Sequence, residues 1–158
     1  MLRPGCSEDE AACVDLWCDS ARARDGAPVG PAVRARALAK LGSERIAFLV
    51  ADEDGAPVGF VLVGAPGTGF ATDPPGAAYL SMLAVHPDRW GRGLGRALLF
   101  EAEHSAARVA DEAVLHVLEG NTAARGLYST SGWTPSGAPF AHPVSGAPVL
   151  TLVRRLPS

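Results

Sequence analysis

Residues 85 to 97 read Val-His-Pro-Asp-Arg-Trp-Gly-Arg-Gly-Leu-Gly-Arg-Ala, and this stretch constrains the chain more than any other. It follows an apolar run, Tyr79 to Val85, long enough for a central strand. It leads into Leu94, Ala97, Leu98 and Ala102, which continue at helical spacing. Glycines at 91, 93 and 95 allow a tight turn and present successive N–H groups with no side chain in front of them. Those donors stand at the start of a helix, where the dipole favours an anion, and Arg92 and Arg96 add positive charge. The stretch suits a phosphate or pyrophosphate. A dinucleotide fingerprint requires G-x-G-x-x-G, whereas the spacing here is G-x-G-x-G, and no acidic residue is convincingly placed about 20 positions later. A P-loop requires Gly-Lys-Ser/Thr, and the turn contains no Lys. A tight turn that holds no ligand is the remaining alternative.

The rest of the chain supplies elements to surround this turn. Residues 1 to 4 suit a short edge strand. Ser7 and Glu10 have the S-x-x-E spacing of a capping box, and Val14, Trp17, Cys18 and Ala21 give the helix that follows one apolar face. Asp25 to Gly30 is a break. Pro31 opens a second helix, with Val33, Ala37, Leu38 and Leu41 as its buried stripe and Gly42 as its cap. Ile46 to Ala51 and Val58 to Val63 read as strands joined by an Asp54-Gly55 hairpin turn. Residues 64 to 76, with four Gly and three Pro, read as a loop. Val114 to Leu118 is a further strand, Thr122 to Ser131 a short helix ended by Gly132, 135 to 148 a loop, and Val149 to Val153 a closing strand. No repeat or linker divides the 158 residues. The expectation is one domain over 1–158, α/β in class, with a mixed sheet and helices on both faces.

Composition narrows the classes of function. The net charge is −3, which gives no footprint for nucleic acid. No apolar run approaches the ~20 residues that span a bilayer, and Met1 to Glu10 has neither a cationic nor an apolar leader region, so a cytoplasmic protein without membrane contact is expected. Cys6, Cys13 and Cys18 fit neither a disulfide framework nor a metal site with histidine partners, and no metal is expected.

The turn and a second stretch downstream resemble the GNAT superfamily of N-acetyltransferases. Val85, Pro87, Gly93 and Gly95 fall in register with that family's V-x-P-x-x-(Q/R)-x-x-G-x-(G/A) motif. The second stretch is Leu115-x-Val117-x-x-x-Asn121-x-x-Ala124-x-x-x-Tyr128, followed by Gly132-Trp133. The resemblance covers nearly the whole chain. It implies a GNAT-like fold, in which a central, mostly antiparallel sheet carries a splayed parallel pair of strands. It also implies acetyl-CoA as acyl donor and an amine as acceptor. The backbone of Met82, Leu83, Ala84 and Val85 would pair with the pantetheine arm like an added strand. The N–H groups of Gly91, Arg92, Gly93, Leu94, Gly95 and Arg96 would hold the pyrophosphate. Asn121 and Ala124 would flank the cofactor arm, and Arg125 would lie near its nucleotide end. Trp90 stands where the family usually has Gln or Arg; it would pack either on the adenine side or on the protein.

Acyl transfer to an amine needs a deprotonated nucleophile, a polarised carbonyl and a proton for the leaving thiolate. The resemblance gives the last role to Tyr128, whose alternative is an amphipathic core residue, and the second role to the Leu83 amide. Asn121 is also a suitable helix N-cap. No carboxylate lies between Pro74 and Pro87 to serve as base. Tyr79 and Ser81 could hold a water that relays the proton. Glu119 ends the next strand, as a participant or as a surface carboxylate. His86 and His116 read as structural or exposed, His142 as solvated, and Arg22, Arg24, Arg34 and Arg36 as solvated helix charges. The expected reaction is direct attack in a ternary complex, since no cysteine is placed to form an acyl-enzyme. The alternative is an acyl-CoA-binding regulatory module, favoured by the missing strand carboxylate and Trp90 and opposed by Tyr128. Homodimers occur in such folds, and no residue pattern here demonstrates one.

Overall fold

The computed structural model describes residues 1–157. The elements run β1 (Leu2–Pro4), α1 (Glu10–Asp25), α2 (Pro31–Leu41), β2 (Arg45–Glu53), β3 (Ala56–Gly64), β4 (Ala78–Val85), α3 (Leu94–Ala107), β5 (Glu112–Leu118), α4 (Thr122–Thr130), β6 (Thr134–Pro135), β7 (Phe140–Ala141) and β8 (Pro148–Arg155). One sheet has the order β1-β2-β3-β4-β5-β8-β6, with β7 also paired to β8. Every pairing is antiparallel except β4 with β5.

The hairpin expected at Asp54-Gly55 forms because both residues take positive φ, 53° and 79°, which suits the twist of the flanking strands. The first helix starts differently from the sequence expectation. The capping pair is Cys6 and Asp9 rather than Ser7 and Glu10, and residues 7 to 9 form a single 3₁₀ turn. The cause is electrostatic. Asp9 takes two hydrogen bonds of 2.8 Å from Arg3 on β1 and one of 2.9 Å from the Cys6 amide, while Arg3 also reaches Asp52 on β2 at 3.3 Å. Other differences are local. Leu38 points to solvent, leaving Ala37 and Leu41 as the buried part of the α2 stripe. Gly42 closes α2 with an ordinary negative φ of −82°. The 135–148 loop contributes the short strand β7.

Helices cover both faces of the sheet. On one face, α1 and α2 press Cys13, Val14, Leu16, Ala37 and Leu41 against Phe48, Phe60, Met82 and Ala84. On the other, Leu98, Leu99, Ala102 and Ala106 of α3 pack with Tyr128 and Trp133 against Val61, Leu80, Leu115 and Leu152. Along β4 the alternation slips by one residue. Leu62 faces Met82 and Val63 faces Leu80, so Ser81 is the extra residue of a bulge. Leu80 and Leu83 therefore join the same core. β5 pairs with β4 only at Ala78↔Ala113 and Tyr79↔Val114, immediately before that bulge. Beyond it the two strands part, as expected for a bulged strand that bends.

Leu98 is fully buried in the core on the α3 face of the sheet. Leu98→Ala should destabilise the fold by about 3 kcal/mol in chemical denaturation. Arg3, followed by the Cys6 amide, holds the Asp9 carboxyl well below the usual carboxylate range. A depressed native pKa contributes stability above the unfolded value of about 3.8–3.9, lost as pH falls through the native value. Asp9→Asn should lower the melting temperature at pH 7 and flatten its decline below pH 4.

Candidate functional site

The parting of β4 and β5 opens a cleft of about 810 Å³ that runs from the glycine turn to α2 and the 140–145 segment. Its walls include residues 79 to 85 of β4, 115 to 118 of β5, and Asn121, Ala124, Leu127 and Tyr128 around α4. The β4 edge that faces β5 carries no ladder beyond Tyr79, so backbone hydrogen-bonding groups there lie open to an added strand.

At one end stands the turn. Gly91 and Gly93 have φ of 77° and 81°, in the left-handed region that favours glycine, and Gly93 caps the N-terminus of α3. A Cβ built on either would meet no atom within 4 Å. The positive φ values thus serve a shape with open space in front of the backbone, which suits a phosphate held by N–H groups. Gly95 differs: its Cβ would touch Leu127 and Val85 at 3.6 and 3.8 Å, so this glycine faces the α4 packing.

Trp90 lines the cleft at its turn end. Its indole Nε1 donates to the Val85 carbonyl at 2.8 Å and folds the ring back onto the end of β4, while the residue remains 47% exposed. The side chain braces the turn from the protein side. Arg96 does not enter the cleft; its guanidinium donates to Ser131 Oγ and Thr130 Oγ1 at the end of α4. Arg92 is exposed at the turn and is not a cleft wall residue. Arg125 turns to the Glu119 carbonyl at 2.9 Å. Glu119 is exposed and stands outside the cleft wall. Strand β5 ends there, and the carboxylate follows the chain to the surface.

Asn121 caps α4, its Oδ1 accepting from the Ala124 amide at 3.3 Å, and it also lines the cleft. Tyr128 is 7% exposed and packs its ring 6.1 Å from Trp133. Among the described residues its hydroxyl takes part in no hydrogen bond, and burial pushes the phenol well above its ordinary pKa. Tyr79 and Ser81 both line the cleft. Burial raises the Tyr79 phenol to about 12, so it stays protonated at neutral pH. The Ser81 hydroxyl sits 3.4 Å from the Leu62 carbonyl across the bulge.

The far end of the cleft holds residues that the sequence reading set aside. His116 lies among Phe70, Tyr79 and Phe140, with ring centroids 4.6, 5.4 and 5.6 Å away. Its Nε2 bonds Asp73 Oδ1 at 2.8 Å, and its Nδ1 is buried without a partner. Asp73 Oδ2 also accepts from the Phe70 amide at 2.9 Å, which folds the 65–77 loop against β5. Arg36 is not a solvated helix charge: with Val33, Ala37 and Lys40 it forms the face of α2 that lines the cleft. That spacing, i, i+3, i+4 and i+7, is visible in the sequence, and Lys40 is the sole lysine among the 158 residues.

The chain belongs to the GNAT family of acetyltransferases, whose model matches residues 11–133. Mycothiol acetyltransferase of Thermobispora bispora is 41% identical over 90 residues, which cover 55% of this chain and 30% of that protein. The match thus spans less than a third of the length of that relative. The fold matches solved members closely. The structure of yncA from Salmonella typhimurium with acetyl-CoA superposes with a TM-score of 0.73 at 20% identity, covering 100% of this chain and 94% of that one. The PaiA N-acetyltransferase of Thermoplasma acidophilum in complex with coenzyme A gives 0.71 at 18% identity, with 98% of each chain covered.

A side chain at position 93 carries two costs, a left-handed backbone worth about 1–2 kcal/mol and an obstruction of the open space before the turn. Gly93→Ala should weaken coenzyme A binding at least tenfold by calorimetry, while Gly95→Ala stays near wild type. Equal affinities for both folded variants would remove the turn from the binding site.

Proposed function

We propose that the protein transfers an acetyl group from acetyl-CoA to a primary amine by direct attack in a ternary complex. The observation that carries this reading is the coincidence, in one cleft, of the open β4 edge, the left-handed glycine turn and the Tyr128 hydroxyl. The open Cβ space at Gly91 and Gly93 fits the pyrophosphate of the donor. Residues Met82 to Val85 offer backbone groups for its pantetheine arm, the Val85 carbonyl already accepting from Trp90, and Asn121 and Ala124 flank the same channel.

The chain's own groups then divide the work. The Leu83 amide is the donor we assign to the thioester carbonyl oxygen as negative charge develops there. The amine nitrogen bonds to the acetyl carbon, and the carbon–sulfur bond breaks. Tyr128 supplies a proton to the departing sulfur, and the nitrogen's second proton, shed as the amide forms, restores the phenol. Its burial keeps the phenol protonated, and its hydroxyl is free of protein partners among the described residues, so it is available as a donor. The amine must shed its own proton first, because an ammonium with pKa of about 10 is not nucleophilic at neutral pH. Ser81 and Tyr79 line the cleft and are assigned as holders of a water that relays this proton to bulk solvent. Neither is itself the base: the Tyr79 phenol is raised to about 12 and a serine hydroxyl does not ionise in this range.

Tyr128→Phe should lower turnover roughly 100-fold or more, the scale of general acid catalysis, and leave acetyl-CoA affinity within about twofold. Thiol release measured across a panel of primary amines reads both quantities. Unchanged turnover at saturating substrates would take Tyr128 out of the reaction. Tight acetyl-CoA binding with no release on any amine would favour a regulatory acyl-CoA-binding module instead.

A further inference from the structure

The α2 end of the cleft carries cationic groups that the acetyl-transfer reading does not use. Arg36 and Lys40 stand one helical turn apart on the same face of α2 and both line the cleft. The Arg36 guanidinium lies 5.7 Å from the centroid of Phe70, and Lys40 Nζ lies 5.9 Å from that of Tyr79. Lys40 donates one hydrogen bond, 3.3 Å, to the Ser81 carbonyl at the β4 bulge, which leaves donors of the ammonium free. Among the described residues neither cation has a carboxylate within 4.0 Å, although eight arginine–carboxylate pairs form elsewhere. The nearby acids are taken: Asp73 by His116 and the Phe70 amide, Asp25 by Arg24.

A half-buried cation without an acid partner is costly unless something supplies the missing charge. Two such groups facing the same space repel each other, and the neighbourhood registers their field. Burial first, and then Arg36, Lys40 and Arg24, hold the His142 imidazole below its ordinary pKa. Burial, reinforced by Arg36, lowers Lys40 to about 8. Phe70 and Phe140 form an apolar wall on the same side, 5.1 Å apart in an edge-to-face arrangement.

We infer that Arg36 and Lys40 form a carboxylate subsite, so that the acceptor is an amine that also bears a carboxylate, such as a free amino acid whose side chain rests on Phe70 and Phe140. The inference rests on the acetyl-transfer reading for the amine, and it extends that reading to the acceptor's second functional group. Lys40 links the two, because its head group touches the carbonyl of the residue at which β4 leaves β5. A carboxylate seated between the two cations holds the amine of a short molecule on the β4 side of the cleft. A guanidinium and an ammonium together suit this task, one offering a planar fork and the other a mobile point charge.

The test is thiol release from acetyl-CoA with matched pairs that differ only at the carboxylate: glycine, leucine, phenylalanine and methionine, each against its amide. The amide has the less basic amine and therefore the larger free-base fraction at pH 7.5, so a preference for the acid cannot come from amine basicity. The expected result is that at least one acid exceeds its amide tenfold or more in kcat/KM. Arg36→Met and Lys40→Met should each remove most of that preference, with acetyl-CoA affinity within twofold of wild type. Amides used as well as their acids, or an acid preference that survives both substitutions, would overturn the subsite and leave acetyl transfer standing. If no amine is acetylated, calorimetric titration of the same pairs into the coenzyme A complex reads the subsite alone. Acid binding at least tenfold tighter than amide binding, and lost in Arg36→Met, would support it. Equal or absent binding would overturn it.

Discussion

The single extra residue at Ser81 is the constraint on which the rest of the architecture depends. A parallel pair of strands normally continues its ladder along the full length of both. Here the ladder ends after Tyr79 and Val114, and the bulge follows at once. The bulge keeps β4 in register with β3, so the sheet survives on that side. On the other side it bends β4 away from β5 and leaves several residues of strand edge without a partner. An exposed strand edge is ordinarily a hazard for aggregation, managed by covering it. In this fold the edge is recessed between β4, β5 and α4, so it is reachable by a narrow chain and shielded from a second sheet.

The same divergence sets what lies at each end of the opening. On one side β4 runs into the glycine turn, where two left-handed residues and the start of α3 point unpaired amides outward. Trp90 replaces the polar residue that the family usually carries, and its indole closes on the Val85 carbonyl, tying the turn to the strand end. On the other side β5 carries His116, which with Asp73 pins the 65–77 loop and brings Phe70 against Phe140. α2 covers this end and contributes the two cations. The cleft is thus graded: amide donors at the turn, an apolar and hydroxyl-bearing middle, and positive charge at the far end. That gradient is the physical basis for assigning the donor to one end and the acceptor to the other.

Much of the fold was legible because short-range rules decide it. The Asp54-Gly55 hairpin, the strand before the turn and the helix after it follow from backbone preferences and hydrophobic period, and each forms where expected. The helix start at Asp9 was misplaced because its determinant, Arg3, acts across the β1 strand rather than within the helix. The shape of the glycine turn was legible through its spacing, since a left-handed backbone leaves few residue choices. The α2 end of the cleft was not. Arg36 and Lys40 look like ordinary helix charges until the packing of α2 shows which face is turned inward. His116 reads as structural or exposed in the sequence, and its partner in pinning the 65–77 loop, Asp73, lies 43 residues away where no short-range rule finds it. Glu119 and Arg125, by contrast, sit in suggestive positions along the chain, and the geometry directs both outside the cleft.

Backbone hydrogen exchange reads directly which amides meet the donor. Exchange is measured residue by residue with and without coenzyme A. Slowed exchange is expected at Met82 to Val85 on the free β4 edge and at Gly91 to Arg96 in the turn, with the outer strands β1 and β8 unchanged. Binding of coenzyme A that leaves both segments unprotected, or that protects a different surface, would contradict this placement of the donor.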